Sequence, residues 1–159
     1  MSDIPLLIPD WPLPPGVRAV QTTRAGGFST GFWSSLNLAL HTGDDPEIVR
    51  RNRLRLTEAL GLSEQPVWPR QVHGAGVVSA DAMTEDTEAD AVTARTAGAV
   101  CSVQTADCLS VLFSSTDGRR VAAAHAGWRG LVAGVLEATV RAMEHPPEHI
   151  TAWLGPAIG

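Results

Sequence analysis

The chain has 159 residues, 44% of them hydrophobic and 18% charged, with a mean hydropathy near zero. That suits one domain with a real core and excludes a disordered tail, a collagen-like repeat and a membrane bundle. All twelve basic residues are arginine and the net charge is -5, so no broad basic face is available to hold a nucleic-acid backbone.

The N-terminus lacks a basic stretch followed by a long apolar one, and no run of about 18 apolar residues occurs anywhere. A cytoplasmic protein with no membrane partner is therefore expected, with Cys101 and Cys108 as free thiols. The expected organisation is a single mixed α/β enzyme domain over residues 1–159.

Pro5, Pro9, Pro12, Pro14 and Pro15 restrict helix and central-strand formation, which predicts extended surface chain before a strand over Val17–Thr23. Arg24-Ala-Gly-Gly-Phe-Ser-Thr-Gly is a glycine-rich loop that lets backbone approach a ligand or another segment closely. A helix then starts with Asp44 or Asp45 as cap and Pro46 in its first turn. Ile48, Val49, Leu56 and Leu60 line one face of it, and Gly61 stops it. The arginines at 50, 51, 53 and 55 read as its solvated face.

Residues 67–80 alternate well enough for two short strands around a turn at Gly74 and Gly76, with His73 at the turn. After an acidic loop, the apolar run Ala99-Val-Cys-Ser-Val predicts a buried strand, and Thr105-Ala-Asp-Cys is a break before a strand starting at Leu109. Cys108 thus falls at a strand edge. Thr116-Asp-Gly-Arg predicts a hairpin turn, and Val121–His125 a strand that enters Ala-Gly-Trp-Arg-Gly. Leu131, Val132, Val135, Leu136, Thr139, Val140 and Met143 then recur as one buried helix face ended by Pro146 and Pro147, and Ile150–Leu154 is the last strand.

His41, His145 and His149 read as surface or hydrogen-bonded side chains. His73 and His125 differ, because each lies at the end of a predicted strand beside glycines, and Cys108 shares that placement. Two imidazoles and one thiolate leave a tetrahedral zinc one open position, the mark of a catalytic site. No Cys-x-x-Cys pair exists, so a zinc finger is excluded and the fold has to bring distant ligands together. A buried structural Cys108 is the plain alternative. In His-Ala-Gly-Trp-Arg-Gly, backbone N–H groups at a helix start and Arg129 are suited to an anion such as phosphate. A tight strand-to-helix connection explains the same residues.

Seven motifs occur in order: Thr22-Thr-Arg-Ala-Gly-Gly, Asn37-Leu-Ala-Leu-His-Thr-Gly-Asp-Asp-Pro, Arg70-Gln-Val-His-Gly, Ala89-Asp-Ala-Val-Thr, Thr105-Ala-Asp-Cys, His125-Ala-Gly-Trp-Arg-Gly and Leu154-Gly-Pro-Ala-Ile-Gly. They resemble the laccase-domain, or multicopper polyphenol oxidase, family, whose members are mostly described as purine nucleoside phosphorylases. The resemblance implies mixed sheets layered between helices and a zinc held by His73, Cys108 and His125. It also implies phosphorolysis of adenosine, inosine, guanosine or methylthioadenosine, and deamination of adenosine. Family chains run on after the Gly-Pro-x-Ile-Gly motif, so this chain reads as lacking the C-terminal third.

On that reading the partners are a purine nucleoside and phosphate. Arg24 and Arg129 neutralise phosphate as it attacks the ribose anomeric carbon. For deamination, zinc supplies a nucleophile by lowering the pKa of water to about 7, and Asp107 orients His73 or His125 or relays a proton. Other chemistries fit the same residues. Cys108 with either histidine suits a metal-free hydrolase, of the kind that cleaves an amide in cell-wall precursor editing. Copper is possible in place of zinc, since His2Cys is the blue-copper set, with Met83 or Met143 as axial ligand. Five histidines are nevertheless too few for a four-copper polyphenol oxidase. A small binding module with no chemistry is the non-enzyme reading.

Overall fold

The structure, a computed structural model, describes residues 4–158. The first residues of the N-terminal stretch and the last glycine of the C-terminal motif lie outside the described residues. The described residues form two compact units: Val20–Pro66 with residues 4–9, and Asp10–Ala19 with residues 67–158.

In the first unit, β1 (Leu6–Leu7) pairs antiparallel with β2 (Gln21–Thr22). The strand expected over Val17–Thr23 shrinks to those last residues. Helix α1 (Pro46–Leu60) starts and stops as its residues dictate. The Asp45 carboxylate accepts the Glu47 N–H, and Gly61, at φ 64°, closes the C-terminus. Its inner face holds Val49 and Leu56 but also Asn52, Arg53 and Thr57. The arginine run is therefore not wholly a solvated face. Arg53 is buried with its Nε donating to the Leu38 carbonyl, and Arg55 Nε donates to that of Gly26. Only Arg50 and Arg51 of the four stay exposed.

The second unit is built on a five-stranded mixed sheet of order β3-β4-β6-β5-β7. The strands are β3 (Val77–Ser79), β4 (Ala91–Ala94), β5 (Leu109–Ser115), β6 (Val121–Ala126) and β7 (Ile150–Leu154). β3 and β4 are parallel and the other pairs antiparallel. The Asp117-Gly118 turn joins β5 to β6 as predicted, with Gly118 at φ 73°. Side chains alternate along a strand, so Ala122, Ala124 and Ala126 share a face with Val111 and Phe113 and form the core with Val135 and Met143. His125 emerges on the opposite face, in register with Ser110.

In this unit three expectations need correcting. The single helix predicted after residue 130 is two, α2 (Trp128–Ala133) and α3 (Val135–Ala142), broken at Gly134 with φ 85°. The break leaves Leu131 and Val132 exposed while Val135, Thr139 and Met143 are buried. Of the two strands expected over residues 67–80 only β3 forms. The run Ala99–Val103 is irregular chain, held where the Ser102 hydroxyl donates to the Val67 carbonyl. Among the described residues no helix is long and apolar enough to cross a membrane.

Candidate metal centre

Two of the three side chains come from strand ends and the third from a bend. Cys108 directly precedes β5, His125 is the penultimate residue of β6, and His73 sits in the turn before β3. The second unit brings them together, with one donor atom from each lying within 4.8 Å of the others. The two imidazoles meet edge to face with centroids 4.8 Å apart. His125 is buried, Cys108 half-buried and His73 exposed, so the cluster opens outward on the His73 side.

Two local devices hold the cluster. The Gln71 side chain donates to the Gln104 carbonyl and accepts the Gln104 N–H, both at 2.7 Å, which ties the chain leading to Cys108 to the chain leading to His73. Past Leu154, the β5–β7 pairing continues on both sides of Cys108. Gly155 N–H donates to the Ser110 carbonyl and Ile158 N–H to that of Asp107. Glycine is required at 127, where an added Cβ would stand 2.8 Å from Cys108 Sγ and 3.4 Å from His73 Cδ2.

The carboxylate found at this centre is that of Asp90, a residue that reading the sequence for site chemistry passed over. It is fully buried immediately before β4 and accepts the N–H groups of Val72, His73 and Gly74 at 3.2, 2.9 and 2.7 Å. Its Oδ1 also lies 2.9 Å from His125 Nδ1. The signal available was thin: one acidic residue in Ala89-Asp-Ala-Val-Thr, directly before an apolar strand. Asp107, expected to orient a histidine, is exposed, and its carbonyl is what receives Ile158.

Arg129 is exposed on α2, its guanidinium 5.4 Å from the Trp128 ring centre. Arg24 belongs to the first unit, where its Nε donates to the Ser34 carbonyl and its terminal nitrogen to that of Phe32. Of the two thiols, burial, with a smaller contribution from the Asp81 charge, pushes Cys101 up to about 12. It is inert at neutral pH, which leaves Cys108 as the thiol suited to chemistry.

The donor set suits a zinc ion. Zinc takes sulfur at about 2.3 Å and imidazole nitrogen at about 2.0–2.1 Å, so three tetrahedral ligands lie about 3.5 Å apart, against the 4.8 Å within which the three donor atoms lie here. Met143 lies in the core on the β6 face opposite His125, which removes it as an axial copper ligand.

Residues 18–159 match the family model described as multi-copper polyphenol oxidoreductase laccase. The chain is 53% identical over 155 residues to an Escherichia coli (strain K12) protein named purine nucleoside phosphorylase YfiH, covering 97% of this chain and 64% of that one. It is 54% identical over 153 residues to a Pseudomonas aeruginosa purine nucleoside phosphorylase, covering 96% and 62%. Among solved structures, Neisseria meningitidis protein NMB0706 superposes with a TM-score of 0.90 at 50% identity, covering 96% of this chain and 63% of that one. YlmD from Geobacillus stearothermophilus gives 0.83 at 32%, covering 97% and 63%. The chain thus spans just under two thirds of the length of these relatives.

Proposed function

The chain belongs to the multi-copper polyphenol oxidoreductase laccase family, and from that premise we propose that it is a zinc-dependent purine nucleoside enzyme with its centre at His73, Cys108 and His125. The observation that carries the reading is the convergence of these three donors within 4.8 Å. The names of the relatives direct it to purine nucleosides and phosphate. The reactions proposed are phosphorolysis of adenosine, inosine, guanosine or methylthioadenosine, and deamination of adenosine.

His73, Cys108 and His125 would hold the ion, which when bound supplies Lewis acidity and water of lowered pKa. Gly127 keeps the approach to Cys108 and His73 clear. Arg129, exposed on α2 in the unit that carries the cluster, is assigned to phosphate charge, where a guanidinium fork matches two oxygens at once. Asp107 is available to relay a proton. The free thiols of Cys101 and Cys108 fit the reducing cytoplasm.

The test is zinc content by elemental mass spectrometry for the wild type and Cys108→Ala, followed by adenosine turnover with and without phosphate. One zinc per wild-type chain, lost in the variant, with phosphate-dependent release of base, is the expected result. Zinc without turnover of any purine nucleoside would sink the substrate assignment. The half-buried thiol beside two imidazoles also suits the metal-free hydrolase. That reading gains if the purified chain holds no metal and Cys108 is alkylated rapidly.

A further inference from the structure

We infer that Asp90 is the positioning residue of this centre, one carboxylate setting the ring orientation of His125 and the backbone of His73 together. The inference rests on the reading of the cluster as a metal site. Asp90 is fully buried, and burying a carboxylate is costly unless its oxygens are well bonded. Here Oδ2 accepts the N–H groups of Val72 and Gly74, and Oδ1 serves His73 N–H and the His125 ring.

A carboxylate that only anchored a turn would need the three backbone donors and no imidazole. Sharing one oxygen between two histidines couples their positions. His73 has φ 60°, a left-handed conformation that is unfavourable for a non-glycine residue. Three consecutive N–H groups converging on one anion hold it there. At His125 the carboxylate draws the ring proton to Nδ1 and leaves Nε2 as the nitrogen that faces a metal. Carboxylates placed behind ligating histidines in this way fix the tautomer and raise the basicity of the other nitrogen. The backbone of residue 125 is tied to the same residue, its N–H donating to the Asp90 carbonyl at 2.7 Å.

The test compares the wild type with Asp90→Asn, reading zinc affinity by chelator competition, the absorption bands of the cobalt-substituted protein, and circular dichroism. The variant should keep its secondary structure, bind zinc about 10–100-fold more weakly and shift the cobalt bands. Affinity within twofold of wild type with unchanged bands overturns the inference. Should the variant not fold, nitrogen NMR of the wild-type imidazoles decides. Nδ1-protonated His125 supports the assignment, and the Nε2-protonated form overturns it. None of these readouts involves a nucleoside. A wild type that binds zinc but turns over no nucleoside fails only the substrate reading. If it takes up neither ion, the metal reading fails and the tautomer alone decides for Asp90.

Discussion

At the scale of single residues, buried and half-buried polar side chains organise this protein as much as its apolar ones do. Asn52, fully buried on α1, accepts the Phe28 N–H and donates to the Ser29 hydroxyl and the Asn37 carbonyl, so one amide fixes the glycine-rich loop. Asp44 continues that network. Hydrogen bonds from Asn37 and then Ser29 hold its carboxyl below the ordinary value of 3.8. A carboxyl whose pKa falls on folding binds fewer protons in the native state, so its stabilisation is complete above the ordinary value. It is lost as pH drops through the lowered native one. Urea unfolding at pH 6 and pH 3 should therefore show a larger loss of stability in the wild type than in Asp44→Asn, which has no carboxyl to protonate. Equal losses in the two proteins would mean that Asp44 does not contribute to the acid dependence.

At the scale of elements, what was legible in the sequence is what local residues decide. Helix α1 carries its own start signals in Asp45 and Pro46 and its stop signal in Gly61, and the β5–β6 hairpin carries Asp117-Gly118, so both appear where the pattern puts them. The segments around residues 70 and 101 look strand-like in isolation. Their polar groups bond instead to partners far along the chain: the His73 N–H donates to the Asp90 carboxylate, the Gln104 N–H to the Gln71 side chain and the Ser102 hydroxyl to the Val67 carbonyl. No local pattern reveals such partners. His73, Cys108 and His125 were visible as residue types at strand ends, whereas Asp90 becomes visible only once β4 and β6 are paired. The helix after Gly127 was misread because the apolar spacing runs straight through Gly134, which takes a left-handed φ and divides it. Gly134→Ala should consequently destabilise the protein by about 1–2 kcal/mol, measured by the midpoint of denaturant unfolding at an unchanged slope. An unchanged or raised midpoint would show that a continuous helix is tolerated there.

At the scale of the whole molecule, the site joins parts of the chain that are remote in sequence. His73, Cys108 and His125 close long loops within the unit that carries all three, and an unfolded chain cannot hold them at coordinating distance except at a large entropic cost. On the proposed metal reading, binding is therefore coupled to folding. Zinc present at a hundredfold excess over its dissociation constant should add about 2.7 kcal/mol, which in a chain of this size raises the unfolding temperature by about 5–10 °C. Scanning calorimetry with zinc and then with excess chelator measures this directly. The rise should vanish with the chelator and should be missing in Cys108→Ala, whose folded state retains both histidines but not the sulfur ligand. An equal rise in the variant would place the stabilising metal elsewhere on the protein. A wild type insensitive to zinc would leave Cys108 a free thiol between two imidazoles and favour the hydrolase chemistry.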